Sequence, residues 1–263
     1  MTRDIVLSLN GLSVCYYSSD AGVVDISFDI RRGEVLGLLG ESGSGKSTIC
    51  KAILGLLDNN AAGISGSIAL LERDITTLFW DERENINGRD IGVILQNPMS
   101  SFNPCMKIKA HITETICAHL LCKKRDGYLY GLELLERVGL EDRERIMESY
   151  PSRLSGGMLQ RIMIAIAIAL NPVLLIADEP TTALDTVNQK LILDLLAFVV
   201  KEYRPAMLLV SHDLKVMSAL ADHIAVMQNG IIVETGSKEE IIQWPRHPFT
   251  KELIAASRFM EVG

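Results

Sequence analysis

Three segments follow one another without a break near the start of the chain: an aliphatic run, a glycine-rich turn and a segment of helical periodicity. Val35-Leu-Gly-Leu-Leu39 is apolar throughout, as a strand covered on both faces requires. Ser47–Leu57 places its apolar residues at helical spacing. The turn joining them, Gly40-Glu41-Ser42-Gly43-Ser44-Gly45-Lys46-Ser47, fits G-x-x-x-x-G-K-[ST] in the strand-to-helix setting that this pattern demands. Such a unit commits the chain to an α/β fold with a ligand site at the carboxyl ends of its strands. The glycines let successive backbone N–H groups point at phosphate oxygens, and the start of the helix adds roughly half a positive charge. Lys46 is placed to reach the β- and γ-phosphates of a nucleoside triphosphate, and the Ser47 hydroxyl to sit on Mg²⁺, with Thr48 completing the phosphate-binding stretch.

Further apolar runs at Val173–Ala177 and Met207–Val210 predict more buried strands, each with polar residues at its tip. Ile224–Met227 and Ile231–Glu234 flank Asn229-Gly230, the dipeptide favoured in a tight hairpin. Residues 98 to 170 differ: Cys105–Leu121, Tyr128–Val138 and Ser155–Leu170 all read as helices. The expected organisation is a single domain over 1–263, with an α/β core of 1–97 and 171–263 and a helical lobe of 98–170 inserted into it.

Asp178-Glu179 follows the strand Val173–Ala177. An acidic residue at a strand tip beside a phosphate loop holds the Mg²⁺ side of the nucleotide. Glu179 can poise a water against the γ-phosphate as a general base, an effect of about 10²–10⁴-fold. Leu154-Ser155-Gly156-Gly157-Met158 opens a strongly apolar helix, so a serine and free N–H groups face an anion there. A plain N-cap would look the same in isolation. Taken with the phosphate loop, Gln96, Asp178-Glu179, Thr182-Ala183-Leu184-Asp185 and Ser211-His212-Asp213, in this order, these residues make the chain resemble ABC-type ATPases.

That resemblance implies a P-loop ATPase core with a mainly parallel sheet, antiparallel N-terminal strands and an inserted helical subdomain. It implies ATP and Mg²⁺ as ligands, with Ser47, Gln96 and Asp178 toward the metal and Glu179, His212 and Gln96 as the catalytic set. Tyr16, or its neighbour Tyr17, would stack on adenine, and Asp185 would lie at the dimer interface. Ser155, Gly156 and Gly157 would bind ATP held by a second ATPase subunit, so two sites form head to tail. A heterodimer is expected, with a homodimer open. Two membrane-spanning permease subunits and, indirectly, an extracytoplasmic substrate-binding protein complete the expected complex. Met158 stands where most of the superfamily has Gln, at a position that supports the loop.

The forms Ser155-Gly-Gly-Met-Leu-Gln-Arg161, Gln96-Asn-Pro-Met-Ser-Ser-Phe-Asn-Pro104 and His247-Pro-Phe-Thr250 resemble the peptide and nickel importers within the family. Peptide-importer subunits usually continue into a cysteine-bearing tail, whereas no cysteine follows Cys122 here. The sequence reading therefore favours nickel import, with dipeptide or oligopeptide import as the alternative and a non-transport ATPase behind both.

Charge and cysteines narrow the setting. Against 26 Lys+Arg stand 33 Asp+Glu, for a formal net charge of −7, without the clustered positive surface that nucleic-acid binding needs. The five cysteines, Cys15, Cys50, Cys105, Cys117 and Cys122, are odd in number and lack a C-x-x-C, which reads as free thiols in a reducing compartment. The segment from Met1 to Asn10 carries Arg3 and Asp4 and no signal-type apolar core. Ile162–Ala177, the most apolar stretch, is broken by Asn171-Pro172 and too short to cross about 30 Å of hydrocarbon. A peripheral place on the cytoplasmic face of the cell membrane is expected. His111, Cys117, His119 and Cys122 carry soft donors suited to nickel, but a helix with packed thiols and surface histidines accounts for them more simply.

Overall fold

The computed structural model describes residues 5–17, 22–58, 61–182 and 184–259. Arg3, Asp4, Ala183 and the end of the chain at Gly263, all used above, lie outside the described residues. Two antiparallel strands, β1 (Ile5–Tyr16) and β2 (Gly22–Arg31), lead into β3 (Val35–Gly40) and helix α1 (Lys46–Leu54). Then come β4 (Ala62–Leu70), the two-residue β5 (Arg73–Asp74), α2 (Trp80–Ile86) and β6 (Ile91–Ile94). Five helices follow with no strand among them: α3 (Pro98–Ser101), α4 (Ile108–Leu120), α5 (Lys124–Arg137), α6 (Arg143–Met147) and α7 (Gly156–Ile168). The chain then alternates through β7 (Leu174–Asp178), α8 (Thr186–Tyr203), β8 (Ala206–Ser211), α9 (Leu214–Leu220) and the hairpin β9 (His223–Gln228) and β10 (Ile231–Ser237). Helices α10 (Lys238–Gln243) and α11 (Pro248–Phe259) close it.

Two sheets result. One is antiparallel with strand order β2-β1-β4-β5; the other runs β10-β9-β3-β8-β7-β6 and is parallel except for the β9–β10 hairpin. The large sheet has two buried faces because consecutive side chains point to opposite sides. Val35, Leu39, Leu175, Ala177, Met207 and Leu209 enter one apolar cluster with residues of α4, α5, α7, α8 and α9. Leu36, Leu38, Leu174, Ile176, Leu208 and Val210 enter a second cluster with α1 and the small antiparallel sheet. The mainly parallel sheet, the antiparallel N-terminal strands and the helical insertion are as the sequence implied.

Several boundaries differ from expectation, two of them for a local reason. Helix α1 ends at Leu54, three residues early, because Gly55 takes a left-handed conformation with φ 67° and turns the chain. Helix α4 starts at Ile108 instead of Cys105, since the Asn103 side chain accepts from the Cys105 N–H and holds a turn there. Helix α5 begins four residues before Tyr128. The Asn171-Pro172 break falls as expected between α7 and β7, with Asn171 at φ 50°. Asn229 and Gly230, at φ 48° and 81°, supply the positive φ pair that a tight hairpin turn needs. Among the described residues no helix is long and apolar enough to cross a membrane.

Candidate functional site

The carboxyl ends of β3, β7 and β8 lie side by side, which gathers residues from distant parts of the chain around one cleft. Its volume is about 900 Å³, and Glu41, Ser42, Gly43, Gly45, Lys46, Ser47 and Thr48 line it with Gln96, Asp178, Glu179 and His212. Gly40 and Ser44 stand just behind. A Cβ on Gly40 would lie 2.5 Å from the Met227 carbonyl oxygen, and Ser44 is itself buried. Gly45 caps α1 at φ 105°, a conformation that L side chains avoid, and a Cβ there would meet Val23 at 2.6 Å.

Lys46 is 6% exposed, and its ammonium donates to the carbonyls of Gly40 (2.7 Å) and Glu41 (2.8 Å). Burial draws its pKa below the ordinary lysine value, while the charges of Glu179 and Asp178 hold it up. Burial also pushes the Asp178 carboxyl above the usual aspartate range, and the adjacent Glu179 adds to this. Lys46, a hydrogen bond from Ser47 and Lys51 oppose the rise. The floor of the cleft is thus a buried cation against two carboxylates, with more negative charge than its single lysine balances.

Glu179 leaves β7 at φ 49°, uncommon for a residue with a side chain, and its N–H donates to the Val210 carbonyl of β8 at 2.9 Å. That turn lays the carboxylate across the two strand ends. One oxygen accepts from the His212 backbone N–H (3.1 Å) and lies 2.7 Å from His212 Nδ1. The other accepts from the Thr182 hydroxyl (2.8 Å) and, more weakly, from Ser211 (3.5 Å). Gln96 follows β6 and is exposed to the same cleft; beside it, the Leu95 N–H approaches the Met163 sulfur of α7 at 3.0 Å. The residue just before Gln96 is therefore tied to the helical segment.

The remaining sequence-derived residues do not line the cleft. Ser155 caps α7, its hydroxyl accepting from the Met158 N–H at 3.3 Å, and neither it nor Gly156 or Gly157 lines the cleft. Gly157 packs against α8: a Cβ would stand 2.6 Å from the Asn188 side chain, whose amide donates to Asp185. Hydrogen bonds from Asn188 hold the Asp185 carboxyl below its ordinary value. The Tyr16 ring packs on the core with its hydroxyl 3.4 Å from Thr48, whereas Tyr17 is 69% exposed beside Gly63. His111 packs edge-on to Phe102, His119 leans on Gly88, and Cys117 faces Cys122, so the four soft donors do not converge. Among the described residues no group of three or more candidate ligands could hold a metal ion.

One wall of the cleft was not foreseen. Leu253, Ala256 and Ser257 of α11 line it, together with Gly22, Asn229 and Gly230. The His247-Pro-Phe-Thr250 segment explains how α11 is held. Glu234 of β10 accepts from the N–H groups of Arg246 (2.8 Å) and His247 (3.0 Å), while Phe249 and Thr250 are buried. The sequence marks that segment but not its neighbour in space.

Comparison with known proteins decides the family. A model described as ABC transporter matches residues 23–182. The chain belongs to the ABC transporter family. This ABC cassette is 44% identical over 260 residues to the oligopeptide transport ATP-binding protein OppD of Lactococcus lactis subsp. cremoris, covering 98% of this chain and 77% of that protein. It is 40% identical to the dipeptide transport ATP-binding protein DppD of Escherichia coli, over 95% of this chain and 78% of that one. With the metal-staphylopine import system ATP-binding protein CntD of Staphylococcus aureus it shares 39%, over 90% and 87% of the two chains. Among solved structures, the ABC cassette superposes on dimeric MJ0796 bound to ADP and Pi with a TM-score of 0.77 at 25% identity, covering 88% of this chain and 98% of that one. On cbiO1 of Clostridium perfringens, part of the complex cbiONQ, the TM-score is 0.79 at 24% identity, with 98% and 99% covered.

Proposed function

We propose that this ABC cassette binds Mg·ATP in the cleft at Lys46 and hydrolyses it to drive the import of peptides across a membrane. The observation that carries the chemistry is the convergence of Lys46, Asp178, Glu179, Gln96 and His212 on one cleft beside the helix start of α1. The phosphates rest on the N–H groups of residues 41–48, with Lys46 turning from the Gly40 and Glu41 carbonyls toward the β- and γ-oxygens. Ser47, Asp178 and Gln96 offer oxygen donors, which suit a hard cation such as Mg²⁺. A Mg²⁺ held by these donors would supply positive charge against the phosphates. Glu179 takes the proton of the attacking water, and His212, held against its carboxylate, contacts the γ-phosphate. Tyr16, at the end of β1 beside Thr48, or its exposed neighbour Tyr17 serves adenine.

The cleft holds only half of a site. Because Ser155, Gly156 and Gly157 stand away from the Lys46 cleft of their own chain, they are assigned to a nucleotide held by a second ATPase subunit. Support for a second subunit is that the similar cassette MJ0796 is dimeric and bound to ADP and Pi. Residues 98–170 form the lobe that closure moves, through Gln96, against two permease subunits at the cytoplasmic face; an extracytoplasmic binding protein delivers the substrate to those permeases.

The substrate assignment departs from the nickel preference drawn from the motifs. Support for peptides is the 44% and 40% identity to oligopeptide and dipeptide transport proteins over nearly the whole chain. Support for a second reading, a chelated metal such as nickel, is the 39% identity to the metal-staphylopine system. Uptake of labelled di- and oligopeptides and of radioactive nickel, in a strain lacking this chain, separates them. Peptide uptake restored by the wild-type chain but not by Lys46→Ala is the expected result. Restoration of nickel uptake alone overturns the peptide assignment.

A further inference from the structure

Cys117 and Cys122 take no part in the nucleotide site, yet their sulfurs stand 3.3 Å apart. The contact has a backbone cause. Helix α4 ends at Leu120, and Leu121 takes a left-handed conformation with φ 50°. Such a cap swings the next residue back onto the last helical turn, so residues five apart meet. Two apolar side chains usually fill that contact; here both are thiols. Room for them is kept by Gly127 of α5, where a Cβ would stand 2.8 Å from the Cys117 sulfur and 3.7 Å from that of Cys122. Both cysteines are only partly buried.

The surroundings favour an anionic reagent. Lys123, Lys124 and Arg125 follow Cys122 directly, all exposed, against one acidic neighbour, Asp126, and α5 starts with its positive end at Lys124, two residues after Cys122. Cys117 holds its proton above the ordinary thiol range, chiefly because of the hydrogen bond it shares with the Cys122 sulfur. Cys122, which directly precedes these cations and the start of α5, is the sulfur that meets the reagent, and Cys117 the one that follows.

We infer that Cys117 and Cys122 form a reversible dithiol–disulfide site that exchanges with small anionic disulfides such as oxidised glutathione. Cys122, as thiolate, attacks one glutathione sulfur, making a mixed disulfide and releasing glutathione thiolate. Cys117 then gives up its proton and attacks the Cys122 sulfur, and the second glutathione thiolate leaves. The two protein thiols are oxidised, one disulfide is reduced to two glutathiones, and the two protons end on those glutathiones. In a reducing compartment the bond forms only when the glutathione pool turns oxidising, as a signal and not as a permanent staple. The bond fixes the last turn of α4, where His119 abuts Gly88 of the loop leading to β6. It therefore acts on the seam between the helical segment and the α/β core.

The test incubates the full chain in glutathione buffers of rising oxidised fraction, quenches with an alkylating agent and maps tryptic peptides by mass spectrometry. Residues 110–123 lie between cleavage sites and hold both cysteines, while exposed Cys105 falls in the peptide 90–107 and serves as reference. The expected result is loss of both alkylatable thiols together, with a peptide lighter by two hydrogens and restored by reduced glutathione. Cys117→Ser should arrest the reaction as a Cys122–glutathione adduct, and Cys122→Ser should leave Cys117 alkylatable. Cys117 and Cys122 alkylated as fully as Cys105 in the oxidising buffer would overturn the proposal. So would a Cys117→Ser variant that takes up no glutathione at residue 122.

Discussion

Replacing Glu179 by Gln removes a charge and a proton acceptor from the cleft while keeping the size of the side chain. The wild-type carboxylate accepts from His212 on one oxygen and from Thr182 and Ser211 on the other. Gln keeps its carbonyl toward the His212 N–H groups and turns its amide to Thr182, whose hydroxyl rotates to accept. Three of the four contacts survive in this way, so folding stability should change by no more than about 1 kcal/mol. Nucleotide binding should persist as well, because the N–H groups of the phosphate loop and Lys46 are untouched. Turnover should not. Loss of a positioned base costs about 10²–10⁴-fold, which at 1.36 kcal/mol per decade raises the barrier by about 3–5 kcal/mol. Phosphate release from Mg·ATP by the purified variant reads this directly, with binding of a fluorescent nucleotide as the control. Turnover within a small factor of wild type, with binding intact, would remove Glu179 from the role of base.

Two further substitutions probe the frame of the site. Gly92→Ala places a methyl group 2.3 Å from the Ala167 carbonyl oxygen, where β6 crosses α7. Overpacking against backbone should cost about 1–3 kcal/mol and lower the Tm by roughly 2–4 °C for each of them; an unchanged melting temperature refutes the close approach. Asp178→Asn tests electrostatics with opposite signs for stability and activity. The raised carboxyl pKa means that folding disfavours the charged form, so charged Asp178 costs stability above its folded pKa and that cost fades as pH falls toward 3.8. Asn should therefore raise the melting temperature of the nucleotide-free protein at neutral pH, the gain shrinking on acidification, while ATP hydrolysis is lost. A gain that does not depend on pH, or no gain at all, contradicts the burial argument.

Local structure was legible in the sequence because it is contiguous. The strand, turn and helix from Val35 to Leu54 carry the glycine-rich turn within one short span, and Asn229-Gly230 takes the positive φ pair that its hairpin needs. Helix ends were read less well where the deciding residue was a cap, as at Gly55, or a side-chain turn, as at Asn103.

Contacts between distant segments were decided only by the tertiary structure. Glu179 and His212 are 33 residues apart and meet because β7 and β8 are neighbours in the sheet. Strands buried on both faces are apolar throughout, so their sequences hold little record of which strand pairs with which, or in what register. The α11 wall was invisible for the same kind of reason. His247-Pro-Phe-Thr250 shows a motif, but that Glu234 grips it, and that the following helix then leans over the cleft, depends on how β10 is placed against the rest of the sheet.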